Sequence, residues 1–353
     1  MWAMILKEFR QVRRDRRTLA MMIVLPLLLL VVFGYAASFD VTEISTVVAG
    51  PAADRTAEAL PDLFEVERTE PSEGEAELRE TLRDGDAVVG ILADPRSPTA
   101  LIDGSQLFPA RTAKEAFARA DRAVPGLDVE VLFNPGLETS AVMVPGLAGL
   151  ILLFVGTVIT SLGVVRERQA GTLEQLAVMP LRPRDVFVGK IAPYFVIAAL
   201  DMAIITIAGV AVFDVPFNGS VWVLALGAVL FLFVALGLGV LISGVSQNQG
   251  QAIQLAIMML LPQVMLSGLI FPLESMAAGV RWIGYILPLT YFNQISRGVF
   301  LRGAPLEALV QPMLLLALLG AVVFSLAVLR FRRDLAPERG RVRRPETRLK
   351  EAA

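Results

Sequence analysis

Long uncharged runs alternate with short charged segments along this chain, and one charged block of about a hundred residues interrupts them. A helix that spans a bilayer needs about 20 mostly apolar residues. Six windows meet that requirement: Leu19–Ala37, Ala141–Val165, Ile191–Phe213, Val221–Ile242, Ile253–Phe271 and Ala308–Leu329. A seventh apolar stretch, Pro272–Ile295, is broken by Pro272, Gly279, Gly284 and Pro288 and carries Glu274 and Arg281. It reads as two short re-entrant or interfacial half-helices, because proline and glycine interrupt the backbone ladder that a span requires. Residues 38–140 differ in kind. Ser45–Ala49, Ala87–Leu92, Thr99–Ile102 and Asp128–Phe133 are β-rich, with Phe64–Glu67 weaker. Glu73–Arg83 and Arg111–Ala123 have helical composition, and Asp94-Pro95 and Val124-Pro125-Gly126 mark turns between elements. The expected fold is therefore an α-helical membrane protein with six spans, into which a small α/β domain is inserted.

Composition agrees. The chain of 353 residues is 55% hydrophobic and 19% charged, with a mean hydropathy of +0.63. A soluble domain carries closer to 25% charge. Cysteine and histidine are both absent. That excludes disulfides, Cys/His metal centres and histidine-dependent catalysis. No carboxylate motif suggests a metal, so the metal and catalytic assignments are none.

Charge sets the orientation. Residues 38–140 hold 21 acids and 9 bases, whereas the remainder holds 13 acids and 23 bases. Six bases lie in residues 1–18, five in 166–190 and nine from Arg330 onward, against three in the short loops of the opposite face. By the positive-inside rule both termini are cytoplasmic and 38–140 is extracytoplasmic. The chain is expected in the cell inner (cytoplasmic) membrane as a multi-pass protein. Leu19–Ala37 reads as a retained span; it is longer than the apolar core of a leader peptide. In residues 1–18, Trp2, Ile5, Leu6, Phe9 and Val12 fall at helical spacing among the bases. This suits a cytoplasmic interfacial helix held by anionic lipid, or a basic topology signal. Residues 332–353 form a basic cytoplasmic tail of disordered composition.

No Gly-x4-Gly-Lys-[Ser/Thr] sequence occurs, so a nucleotide-hydrolysing loop is missing from the sequence. The basic runs flank spans and imply no nucleic acid. The informative cytoplasmic stretch is Arg166-Glu167-Arg168 followed by Gly171-Thr172-Leu173-Glu174-Gln175-Leu176, closing at Pro180. Thr172 and Gln175 suit a capping box, and Leu173, Leu176 and Ala177 make an apolar stripe. A short amphipathic helix here fits a groove on a soluble partner, or rests on lipid.

These residues carry a resemblance. Four stretches are similar to the permease subunits of ABC-2 type exporters, in the branch with six spans and a large domain between the first two. They are Lys7-Glu8-Phe9-Arg10 with Arg14-Asp15-Arg16-Arg17; Asn134-Pro135 with Val144-Pro145-Gly146-Leu147; Arg166 through Gly189-Lys190; and Leu266-Ser267-Gly268 through Phe271-Pro272-Leu273-Glu274-Ser275-Met276, with Pro288 and Arg297-Gly298. Ala277 departs from the branch, which has proline there. The resemblance implies a transport subunit that is not itself an enzyme. A separate cytoplasmic ABC ATPase would bind ATP and magnesium, leaving this chain without a cofactor. A second permease chain, the same or different, would complete the path. An envelope or periplasmic adaptor could join. Residues 172–179 then become the coupling helix, with Leu173 and Leu176 buried in the ATPase and Glu174 in polar contact.

Other positions are open in their role. Asp201 lies mid-span, where charge is costly; it contacts substrate or proton, or bonds a neighbouring helix. Thr157, Thr160 and Ser161, and Gln247, Gln251 and Gln254, line a path or hold helices together. Met258, Met259 and Met265 suit a re-packing surface or serve as filler. Glu274 and Arg281 could form an outer gate. The substrate class implied is a drug, lipid or other amphiphile. The competing reading is a membrane sensor or scaffold whose extracytoplasmic domain binds a ligand or partner. A secondary transporter or a membrane enzyme has less behind it.

Overall fold

The computed structural model describes residues 41–95, 97–120, 127–171, 183–273 and 275–335. The first apolar window, Leu19–Ala37, the amphipathic segment 1–18, the stretch 172–179, Glu274 and the tail beyond residue 335 lie outside the described residues.

The charged block folds as a five-stranded sheet. Its strands are β1 (Ile44–Ala49), β2 (Phe64–Glu70), β3 (Val89–Leu92), β4 (Thr99–Asp103) and β5 (Asp128–Leu132). Helices α1 (Ala53–Ala59), α2 (Glu75–Asp84) and α3 (Leu107–Ala120) provide the crossovers. The order is β2-β1-β3-β4-β5. Pairing is parallel except between β3 and β4, where a short loop allows a hairpin. Both faces are covered, so the central strands read as apolar runs rather than alternating ones. Val47, Ala49 and Leu101 face Leu78 and Leu82 of α2. Ile44, Val48 and Ile102 face Ala110, Ala113 and Phe117 of α3, where Phe117 stacks on Phe64 at 4.9 Å. At the β2 edge the strand is rich in glutamate, which blunts edge-to-edge pairing.

Asn134 joins this domain to the membrane helices. Its amide donates to Gly104 O at 3.3 Å and Glu138 O at 3.1 Å, and its Oδ1 accepts from Glu138 N at 3.0 Å. The adjoining Phe133 has φ 64° and Leu137 φ 48°, so the chain reverses sharply before α4 (Thr139–Gln169).

Five helices among the described residues are long and apolar enough to cross a membrane. They are α4, most of α5 (Pro183–Phe213), α6 (Val221–Val245), α7 (Gln249–Leu266) and the segment Glu307–Arg330, in which a short 3-10 turn leads into α10 (Val310–Leu335). Between α7 and α10 lie α8 (Ala278–Gly284), α9 (Pro288–Arg297) and a π turn at Gly298–Arg302. Pro288 sits in the first turn of α9, where its missing N–H is no loss. The broken apolar stretch 272–295 is thus two short helices, α8 and α9, joined at 285–287.

Helix α4 is the hub and packs on α5, α6, α7 and α9. Small residues permit this approach. A Cβ at Gly149 would collide with the Phe292 ring and lie 2.9 Å from Leu289 Cδ1, and one at Gly156 would lie 3.2 Å from Ala235 Cβ. Phe231 of α6 and Phe292 of α9 stack beside them at 4.5 Å and are fully buried. Side chains on α5 such as Val196, Leu200, Ile204 and Ile207 remain exposed, as a lipid-facing or partner-facing surface requires.

Several helix boundaries differ from the hydropathy windows, two of them for clear reasons. The helix at the window Ile253–Phe271 begins earlier, at Gln249, and stops at Leu266, because Gly268 turns the backbone at φ 77°. Helix α4 continues past Val165 to Gln169, since arginine, glutamate and glutamine are good helix formers.

Candidate functional site

The helical body has two chemically distinct ends. At the basic end, α6 finishes at Val245 with its last carbonyls lacking intrahelical partners. Two arginines reach them. Arg168 Nη1 donates to Ser243 O at 2.8 Å and to Ser246 O at 3.1 Å. Arg330 Nη2 donates to Gly244 O at 2.7 Å. A guanidinium at a helix C-terminus also meets the negative end of the dipole. These contacts tie the ends of α4, α6 and α10 together. Gln249 Nε2 adds a 3.1 Å bond to Gln169 Oε1, so α7 joins the same knot. Helix α4 then ends at Ala170, and Gly171 adopts φ 70°. Of the expected coupling residues, Arg166 is exposed, Glu167 and Arg168 are half-buried, and Gly171 is the turn. Thr172, Leu173, Glu174, Gln175 and Leu176 lie outside the described residues.

The expected path residues are dispersed. Thr157 and Thr160 are buried against α6, where Thr157 Oγ1 donates to Ala235 O at 3.3 Å. Ser161 donates back to Val158 O. Gln251 is buried; its amide accepts from Gln247 N at 2.9 Å and its own N–H donates to Asn248 Oδ1 at 2.9 Å, which caps α7. Gln254 and Met258 are half-buried on α7, and Asp201 is half-buried on α5. Met265 packs on the cluster of Leu266, Phe271, Leu273 and Met276. Arg281 is half-buried in α8.

The opposite, sheet-domain end holds chemistry that the sequence did not single out. The π turn 298–302 is braced by Asn218, whose N–H donates to Phe300 O at 3.0 Å and whose Nδ2 donates to Leu301 O at 2.7 Å. The turn carries Arg302 into the sheet domain. Its guanidinium lies over Gly85, which caps α2 at φ 88° and leaves the room a Cβ would fill. Arg302 Nη1 stands 3.7 Å from Asp103 Oδ2 at the end of β4. Asp103 is fully buried, and its Oδ1 accepts from Ser105 N at 2.8 Å. Burial raises the Asp103 carboxyl above the usual range, and Arg302 and Ser105 oppose that rise. Asp84 is also raised, chiefly by burial, with Arg83 and Arg302 opposing.

Beside this pair a cavity of about 400 Å³ opens between the sheet domain, α4, the segment 267–273 after α7, α9 and α10. Asp84, Asp86, Arg297 and Arg302 are among its lining residues, with the Arg302 guanidinium over Gly85 between the two aspartates. Arg297 Nη2 donates to Leu269 O at 3.1 Å. The rest of the lining mixes polar side chains such as Gln106, Asn293 and Gln311 with apolar ones such as Met143, Leu273 and Leu315. A site of this size suits a small molecule or part of a larger one. Two sequence signals mark the place: an arginine ending an apolar run just before Gly303, and the Asp103-Gly104 pair closing a strand. Among the described residues no cluster of acidic side chains could hold a metal ion.

Comparison with known proteins agrees with this architecture. Residues 16–329 match the family described as ABC-2 family transporter protein. The probable multidrug ABC transporter permease YbhS of Escherichia coli (strain K12) is 30% identical, over 91% of this chain and 93% of that protein. The probable multidrug ABC transporter permease YbhR of the same organism is 26% identical, over 95% and 99%. Its inner membrane transport permease YhhJ is 30% identical, over 59% of this chain and 56% of that protein. With a match that runs through the sheet domain and every described span, the chain belongs to the ABC-2 transporter family and is a multi-pass membrane protein.

Proposed function

We propose that this chain is the membrane subunit of an ATP-binding-cassette exporter, driven by a separate cytoplasmic ATPase. The observation that carries the reading is similarity over nearly the whole length to permeases named for multidrug transport. The sequence itself supplies no phosphate-binding loop, so ATP and magnesium belong to the ATPase. In this reading six spans include Leu19–Ala37, the basic end faces the cytoplasm, and the sheet domain is extracytoplasmic. Helices α8 and α9 form the outer end of the path, re-entering the bilayer from that side. A second permease chain completes the path, an envelope adaptor can meet the sheet domain, and the cargo is a drug, lipid or other amphiphile.

Residues 166–176 form the mechanical input. Leu173 and Leu176 seat in the ATPase, Glu174 makes the polar contact, and Arg166 and Glu167 border it. Arg168 faces inward instead, so it passes motion of the loop to the end of α6. Arg330 extends the same movement to α10. ATP-driven closure of the ATPases then biases the helical body between two states. The test is affinity purification of the tagged chain from native membranes in mild detergent, with mass spectrometry of co-purifying proteins. A Walker-motif ATPase in near-equal amount, lost on combined substitution of Leu173, Glu174 and Leu176, is expected. Its absence under several gentle conditions defeats the exporter reading.

A further inference from the structure

Asp201 is the only charged residue in any of the six apolar windows. It lies nine residues after the start of the span Ala192–Phe213 and twelve before its end. At 1.5 Å per residue that is about 14 Å from one end and about 18 Å from the other, close to mid-depth. A charge at that depth is expensive, so an ionisable residue there marks a site and requires a partner. The fold supplies none. Among the described residues Asp201 takes part in no hydrogen bond or ion pair. Helix α5 packs on α4, α6 and α10, and these carry no charged side chain between Thr139 and Val165, Val221 and Val245, or Val310 and Leu329. A bond to a neighbouring helix, one of the roles open to Asp201 from the sequence, is therefore not what the described helices provide.

A second copy of this chain brings no base to that depth, and neither does Leu19–Ala37, because the apolar windows hold no lysine or arginine. A cation that balances Asp201 therefore comes from outside the chain. The surroundings define its kind. Asp201 is half-buried. Ala198 and Met202 are buried on one side of it, and Ile197, Leu200 and Ile204 are exposed on the other. A metal ion needs several oxygen ligands, and among the described residues no acidic cluster offers them. An organic cation with a large apolar body leaves water at far lower cost than a small ion, since the desolvation penalty falls as charge is spread. Such a body also gains contact with the exposed side chains beside Asp201. We propose that Asp201 is a binding site for lipophilic organic cations, with Ile197, Leu200 and Ile204 taking the apolar body. Calling that cation cargo rests on the exporter reading; the binding site does not.

The test is isothermal titration of the full chain in a neutral maltoside detergent. Tetraphenylphosphonium is the probe, and tetraphenylborate, an anion of nearly the same size and shape, is titrated separately. The phosphonium should bind about ten-fold or more tightly than the borate, the scale of one charged contact. Asp201→Asn should erase that preference while melting as the parent does, and Asp201→Glu, which keeps the charge, should retain it. Replacing Leu200 and Ile204 together by alanine should weaken both ions through lost apolar contact. Equal affinity for the two ions, or an undiminished preference in Asp201→Asn, overturns the proposal. So does a parent chain that binds no phosphonium but loses a co-purifying second permease on Asp201→Asn; the charge then belongs to a subunit interface. Transport of the phosphonium into proteoliposomes with the ATPase separates site from cargo. Binding without ATP-dependent transport refutes cargo but keeps the site, whereas ATP-dependent transport that Asp201→Asn leaves unchanged refutes the site but keeps the exporter.

Discussion

Replacing Arg302 by methionine keeps most of the side-chain bulk and removes the cation facing Asp103. Asp103 is then a fully buried carboxylate whose remaining partner is Ser105. Breaking a buried pair from one side costs about 3–5 kcal/mol, because the other charge is stranded. The separation of 3.7 Å places this pair beyond hydrogen-bond length, so the lower end applies. Protonation gives Asp103 an escape, and that sets the pH dependence. Its folded-state affinity for a proton already exceeds that of the unfolded chain. Such a group weakens the fold as pH rises from the ordinary carboxylate value, near 4, through the raised folded value. Losing Arg302 raises the folded value further, so Arg302→Met should cost most at pH 8 and least near pH 5. The assay is thermal unfolding of the purified chain in detergent, followed by loss of monodisperse protein after heating, at both pH values. A fall of roughly 10 °C at pH 8 is expected, on the scale of 2–4 °C per kcal/mol. Adding Asp103→Asn should recover most of it and remove the pH dependence. A deficit equal at both pH values, with no recovery in the double variant, refutes the reasoning.

Three further outcomes follow from other contacts. Arg168→Ala removes two charge-assisted bonds to the end of α6 and should cost about 1.5–3 kcal/mol; it should also lower transport per ATP hydrolysed while the ATPase still co-purifies, and unchanged coupling in proteoliposomes would contradict the relay. Gly149→Val forces a side chain into Phe292 and Leu289 and should destabilise by about 1–3 kcal/mol, whereas Gly279→Ala, with open space around it, should melt as the parent does. Asn134→Ala loses its bond to Gly104 after β4 and its two bonds to Glu138 before α4; limited proteolysis should then cut near residues 133–138 several times faster, and an unchanged rate would show that the reversal holds without it.

Much of this fold was written in local pattern. The β-rich runs and the turns between them place β1, β3, β4 and β5, because buried central strands need continuous apolar residues. Helix α1 was missed, since Ala53–Ala59 is seven residues of mixed polarity and owes its form to packing on β1 and β2. Strand β2 was faint because an edge strand carries charge. Hydropathy also overshot α7, as Ser267, Leu269 and Phe271 stay buried after the helix has ended at Leu266. The candidate site was less legible. Arg168 stood out by its place in a charged loop, but nothing local says that it folds back on α6. Asp103 and Arg302 come from opposite ends of the chain, and each alone reads as a loop charge. Only the docking of the sheet domain on the π turn makes them a pair.

Helix α4 is a continuous helix of 31 residues with Pro145 in its second turn, about 46 Å long at 1.5 Å per residue. The Asn134 joint holds one end and the Arg168 knot holds the other. In the exporter reading it would serve as a lever: a tilt of about 10° about the knot would sweep the sheet-domain end through roughly 8 Å, by the same length. A displacement that large exceeds the 3.7 Å gap between Arg302 and Asp103. The sheet domain is seated on the far end of this lever, so it cannot stay still relative to α9 and α10 unless it slides. In the exporter reading, a stroke delivered at the basic end would reach the walls of the cavity through this helix.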